Sequence, residues 1–117
     1  MRAYYLNEDK TYRPANLMEW SEQLQRLAKA NTRHVGKDII HGHMVSTVWL
    51  GLDHNWFGGK PLVFETMVFE GDKPGRDIYM NRYTTWQEAE EGHQKAIVWV
   101  KSGCGKLCLP APAQIDS

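Results

Sequence analysis

Charge of one sign is what this sequence lacks. Lysine plus arginine number 14 and aspartate plus glutamate number 14, so the 117 residues carry a formal net charge of zero at pH 7. No global field draws such a chain to nucleic acid or anionic lipid, and the sequence carries no strong nucleic-acid signal. Cysteine is scarce as well. Cys104 and Cys108 in Cys-Gly-Lys-Leu-Cys are half of a zinc site at most, and in a reducing compartment they read as free thiols. Long hydrophobic runs are also missing. The longest stretch without Asp, Glu, Lys or Arg in the amino-terminal two thirds, Ile39 to Leu52, holds two His and two Gly and is shorter than the ~18 to 20 apolar residues of a membrane span. The first residues offer no apolar core of ~7 to 15 residues before a small-residue cleavage site, so a cytoplasmic protein with no membrane partner is expected.

What is present is ordinary globular material: 42% hydrophobic, 24% charged and 11% aromatic residues. That is far from the composition of disordered chains, and at ~100 to 200 residues per domain the length leaves room for one domain, which excludes a two-domain enzyme. Five Trp and five Tyr in so short a neutral chain put some aromatics at the surface and remove electrostatic protection against self-association, so a homodimer is expected.

Along the chain, Ala3 to Leu6 is a small apolar strand followed by a turn at Asn7 to Lys10, with Thr11 and Tyr12 completing a hairpin that Pro14 ends. Asn16 stands three residues before Glu19, the spacing of a capping box, and Leu17, Trp20, Leu24, Leu27 and Ala28 recur at helical intervals, so a helix is predicted from 16 to 30. Arg33 to Val35 forms a short strand next to the breaker Gly36, and Ile39 begins an extended segment. Met44 to Leu52 and Pro61 to Phe69, rich in β-branched and aromatic residues, are two neighbouring strands. Their connection, Asp53 to Lys60, is longer than a tight hairpin needs and carries Trp56 and Phe57. Gly71 to Asp77 reads as a solvated loop and Ile78 to Tyr83 as a further strand. Thr85 and Glu88 repeat the capping box before a stripe of Trp86, Ala89, His93, Ala96, Ile97 and Val100, which predicts a second helix over 86–101. The expected fold is α+β: a small antiparallel sheet of three to five strands with two helices packed on one face, in a single domain over 1–102. Residues 103–117 form a loosely ordered tail. The other sheet face is left to solvent or a partner.

Three runs resemble a family. Val45 to Asn55 (VSTVWLGLDHN), Phe64 to Phe69 (FETMVF) and Arg82 to His93 (RYTTWQEAEEGH) are similar to a widespread group of short uncharacterised proteins encoded by tailed bacteriophages. The three runs cover about a quarter of the chain and leave out both ends. Its motifs carry no reaction; what the resemblance implies is a small accessory protein in the cytoplasm of an infected bacterium, acting on host machinery or host immunity.

Several constellations bear on chemistry. His41 and His43 share a strand face and form a candidate metal pair, with Asp53 or His54 as a third ligand, against the plainer reading of a polar strand entry. Asp53 and His54 are an acid-base pair or, more simply, a turn device in which the carboxylate takes a backbone amide. Glu65 lies inside an apolar strand and needs a partner, for which Arg82 is the natural choice. Arg82, Tyr83 and the loop residue Trp56 would together suit an anionic planar ligand. His93 reads as a hydrogen-bonded core residue. Gly58, Gly59 and Lys60 lack P-loop spacing, and no nucleophile elbow, kinase set or dinucleotide fingerprint occurs.

The resulting expectation is a binding protein that is not an enzyme and needs no cofactor. It would antagonise a host process by holding a nucleotide-like immune signal at Asp53, His54, Trp56, Arg82 and Tyr83. The alternative is an interaction inhibitor of a host defence or transcription protein, such as a CRISPR effector or polymerase. The third reading is a small metal-dependent hydrolase on His41, His43 and Asp53.

Overall fold

Both predicted capping boxes are formed, and each starts a helix. Asn16 accepts from the Glu19 amide while Glu19 returns to the Asn16 amide, opening α1 (Leu17–Lys29); Thr85 and Glu88 do the same for α2 (Trp86–Lys101). In this computed structural model, which describes residues 2–71 and 77–102, six strands accompany them. These are β1 (Ala3–Leu6), β2 (Tyr12–Ala15), β3 (His34–Ile40), β4 (His43–Trp49), β5 (Phe64–Glu70) and β6 (Asp77–Tyr83). The architecture is α+β, with an antiparallel four-stranded sheet in the order β3-β4-β5-β6 and a separate β1-β2 hairpin. The expected tail over 103–117, with Cys104 and Cys108, and residues 72–76 of the expected loop lie outside the described residues.

Period-two alternation sorts the sheet into two faces. Cross-strand rows of Trp49, Phe64 and Tyr83, of Thr47, Thr66 and Asn81, and of Val45, Val68 and Tyr79 lie on one face, and α2 packs across all four strands there. Val45, Trp49, Phe64 and Val68 are fully buried beneath it. β3 and β4 meet through a two-residue turn in which His41 (φ 50°) and Gly42 (φ 77°) both take left-handed backbone angles, the geometry that matches the twist of the strands it joins. The opposite face carries Ile39, Met44, Val48, Met67, Phe69 and Met80; Met44 is 5% exposed there, although no described helix or hairpin packs across the face.

Sequence periodicity put both helices on one sheet face, and α2 alone takes that place. α1 lies against β1 instead. Its buried Gln23 donates to the Leu6 carbonyl and accepts from the Leu6 amide, both at 2.8 Å, so one side-chain amide completes the free edge of β1 as a strand neighbour would. Trp20 Nε1 donates to the Leu50 carbonyl at 2.9 Å, and Leu24 and Leu27 reach the aromatic core of Tyr4, Trp49 and Phe64 from the side. The hairpin also runs further than expected. Pro14 sits inside β2, opposite Tyr4, because β2 has no second neighbour and a strand edge tolerates a residue without an N–H.

Glycines set how closely the layers approach. A Cβ on Gly92 of α2 would fall 2.2 Å from the Tyr83 ring, and one on Gly36 of β3 would fall 2.8 Å from the His93 ring. Gly92→Ala is therefore expected to push α2 off the sheet and lower stability by about 1–3 kcal/mol, the usual cost of overpacking. Urea unfolding of the variant beside wild type measures this; an unchanged midpoint contradicts the close seating.

Candidate functional site

The loop between β4 and β5 is built by its own side chains. The Asp53 carboxylate accepts from the amides of Asn55 (2.8 Å) and Leu62 (3.0 Å), closing the neck. Asn55 donates from its side chain to the Lys60 carbonyl at 2.9 Å and accepts from the Phe57 amide at 3.2 Å. The His54 amide reaches the Leu62 carbonyl, while its Nδ1 donates to the Leu52 carbonyl at 2.9 Å and its ring meets Trp56 edge to face at 6.3 Å. Gly58 (φ 83°) and Gly59 (φ 92°) then turn the chain back. The base of the loop is tied to β1 through the Asp53 amide to the Arg2 carbonyl and a bridge between Ala3 and Leu52. At the tip Trp56 is 67% and Phe57 98% exposed. Such a loop presents two aromatic rings to solvent on a backbone that is already ordered.

Asp53, His54 and Trp56 are thus neighbours, whereas Arg82 and Tyr83 diverge. Successive strand residues point to opposite faces. Arg82 lies on the face away from α2, where its Nε donates to Glu65 at 3.0 Å, the pairing the sequence suggests. Tyr83 lies under Gly92 of α2 and is 4% exposed. The two side chains therefore line no common pocket. A cleft of about 420 Å³ does open beside the loop base, between Arg2, Tyr4, Pro14, Asn16 and Leu17, and none of Asp53, His54, Trp56, Arg82 and Tyr83 lines it.

The Asp53 and His54 side chains each bond backbone groups, as the turn-device reading expects. His41 and His43 sit at the β3–β4 turn, with the His43 Nδ1 donating to the His41 carbonyl at 3.0 Å, while Asp53 follows the far end of β4. The length of β4 separates them, so the hydrolase constellation does not assemble. Among the described residues no group of three or more His, Cys, Asp or Glu side chains is placed to hold a metal.

One polar constellation was not legible in the sequence. His93 Nε2 donates to Asp38 at 2.7 Å, and its Nδ1 meets the Thr47 hydroxyl at 2.7 Å, which in turn bonds the Thr66 hydroxyl. A carboxylate can only accept, so in the neutral ring the proton sits on Nε2, Nδ1 accepts from Thr47, and the Thr47 oxygen accepts from Thr66. The residue types are those of a nucleophile, base and orienting acid. Thr47 and Thr66 are 0% exposed, however, and no substrate reaches a hydroxyl closed under α2. His93 is the hydrogen-bonded core histidine that its place in the helix stripe implies; the Asp38 and Thr47 partners become visible only once the sheet register is known.

At the loop end of the sheet, Arg33 Nε donates to the Trp49 carbonyl at 2.9 Å, and burial lowers the pKa of its guanidinium. Partial burial, and then Lys37 and Arg33 close by, push His34 below the usual histidine range. No family model, curated protein or solved structure matches the chain.

A histidine with a lowered folded pKa takes its proton later in the folded state than in the unfolded one, near 6.5. Its share of stability is therefore complete above about pH 6.5 and is lost as pH falls through and below that value. In His34→Gln the loss of stability between about pH 7.5 and pH 5.5 should be smaller than in wild type. Urea midpoints at the two pH values read the difference, and equal losses would show that His34 does not contribute.

Proposed function

We propose that this is a phage accessory protein that binds a host protein in the cytoplasm of the infected bacterium, with the Asp53–Lys60 loop as its contact, and that it works as a homodimer without chemistry of its own. The observation that carries this reading is the near-complete exposure of Phe57 beside Trp56 on a loop fixed by Asp53 and Asn55. Large aromatic side chains at the surface cost hydration free energy and are anchors of protein interfaces when a partner's pocket encloses them. Because the backbone is already held, little further ordering accompanies binding. A host defence or transcription protein is the class of target that the resemblance to phage proteins favours.

Sequestration of a nucleotide-like signal has less support. Arg82, the group that would bind its phosphates, is paired with Glu65, and the Tyr83 ring is packed under α2 rather than free to stack. The buried Thr47 hydroxyl likewise argues for a binder over a hydrolase.

The test compares tagged wild type with Trp56→Ala and Phe57→Ser as baits in bacterial host lysate. Loss of an interface anchor typically costs ~2 kcal/mol or more, so a captured host protein should bind at least about 30-fold more weakly to either variant, with the unfolding temperature unchanged. Retention of the same partner by both variants would overturn the loop as the contact. A nucleotide released on denaturing the purified protein, and lost in Arg82→Ala, would restore sequestration.

A further inference from the structure

The cleft of about 420 Å³ where β1, the end of β2 and the start of α1 come together has no part in the contact put forward above. We propose that it binds a carboxylate carried on a short apolar stem, the chemistry shared by a peptide's C-terminal residue and a small free acid. The inference does not rest on the loop. Hairpin register supplies the space: Ala3 stands opposite Ala15 and Tyr4 opposite Pro14, so small side chains and a proline ring line the hairpin side, while Leu17, 61% exposed, stands on the helix side. Ligand pockets have this character, mostly apolar with a few polar groups that fix orientation.

Polar groups converge on the same space. The capping box of α1, a helix of 13 residues, satisfies the Glu19 amide with the Asn16 side chain and the Asn16 amide with Glu19. The amides of Leu17 and Met18, at the first two helical positions, have no partner among the described residues. Asn16 and Leu17 both line the cleft, so it opens at the helix end that favours an anion. The Tyr4 hydroxyl is the second donor. Tyr4 lines the cleft and is 9% exposed, with its ring edge to face on Tyr12 at 5.2 Å. The Tyr12 hydroxyl donates to the Thr84 carbonyl and that of Tyr5 accepts from Arg26, yet the Tyr4 hydroxyl makes no hydrogen bond among the described residues. Buried hydroxyls are rarely left so, and a ligand in the cleft would supply the acceptor. Arg2 adds a positive charge at the rim and makes no ion pair among the described residues.

Charge selects a carboxylate over a phosphate. Glu19 stands in the first turn of α1 with Arg13 at 3.5 Å to balance it, which leaves Arg2 as the cation among the lining residues. A dianion beside Glu19 meets repulsion that one arginine does not offset, whereas a single negative charge shared between two amides and Arg2 is matched. The apolar stem then lies against Pro14, Ala15 and Leu17.

The probe is N-acetyl-leucine, with N-acetyl-leucinamide as the same body without the charge, and the readout is the amide and ring resonances of the full chain. The acid is expected to shift Leu17, Met18 and Tyr4 with a Kd of about 1–10 mM, the range of so small a ligand, and the amide to bind about five-fold or more weakly. Arg2→Ala and Tyr4→Phe should each weaken the acid about three-fold or more, while Trp56→Ala binds it as wild type does. Tyr4→Phe removes a hydroxyl that has no partner, so its urea midpoint should equal or exceed that of wild type; a lower midpoint would show the hydroxyl already bonded within the protein and overturn the proposal. Equal binding of acid and amide, equal shifts with inorganic phosphate, or no shift at about 50 mM acid would each defeat it. Binding lost in Trp56→Ala and kept in Arg2→Ala would move the ligand to the loop. An acetylated tripeptide ending in leucine that binds more tightly than N-acetyl-leucine would assign the cleft to protein C-termini, and equal affinity would assign it to a free acid; either supports the carboxylate site.

Discussion

The approach of α2 to the sheet is the constraint on which the rest of the structure depends. Two positions without side chains, Gly36 below and Gly92 above, let the layers close until the His93 ring lies against β3 and the Tyr83 ring against the helix backbone. At that separation a polar chain from Asp38 through His93 and Thr47 to Thr66 crosses the core with its hydrogen bonds made. Buried polar groups are costly when unpaired and nearly neutral when paired, so a network of this kind acts mainly on specificity. If α2 slipped by one residue, Gly92 or Gln94 would stand where His93 does, and the Thr47 hydroxyl would lose the imidazole to which it donates. The helix is therefore held in one register, and so are the strands it crosses.

That register places the end of the sheet where the loop departs. The Trp49, Phe64 and Tyr83 row lies under the amino-terminal part of α2, and Tyr12 of the hairpin packs on Trp49 at 5.5 Å while its hydroxyl donates to the Thr84 carbonyl at 2.6 Å. Burial raises the pKa of that hydroxyl to about 12, so at any physiological pH it remains a donor. The amide of Val63 to the Tyr83 carbonyl and the amide of Leu50 to the Val63 carbonyl extend the ladder past the strand ends. Both stems of the loop are thus fixed to the sheet, and only the tip from Trp56 to Lys60 stands clear. The hydrogen bonds that Asp53 and Asn55 make within the loop are thus continued into the core at both stems.

Elements whose signals are local could be read from the sequence. Asn16 with Glu19 and Thr85 with Glu88 marked the helix starts because a capping box needs only four consecutive residues. The alternation in Phe64 to Phe69 sorted the strand correctly because one face is buried. The pairing of Glu65 with Arg82 followed from two strands of known parity. What failed to show depended on contacts far apart in the chain. Gln23 lies outside the apolar stripe that predicts α1, yet it serves as a strand neighbour for Leu6, which holds α1 against β1. Arg82 and Tyr83 looked like one site because they are adjacent, although strand geometry sends adjacent side chains to opposite faces. Asp38 and Thr47 had no reason to be linked with His93 until β3, β4 and α2 were stacked.

The same arrangement explains where function can reside. The groups with the strongest chemical character, the imidazole of His93 and the hydroxyl of Thr47, are closed off because they hold the layers together, so the interior is committed to stability. Among the described residues the Trp56 and Phe57 rings are the large aromatic side chains left open to another molecule, at a cost in hydration free energy. A chain with no net charge has no electrostatic means of keeping such surfaces apart from other proteins. The polar network is thus closed beneath α2, while the exposed aromatic rings stand on the Asp53–Lys60 loop, held there by the hydrogen bonds of Asp53 and Asn55.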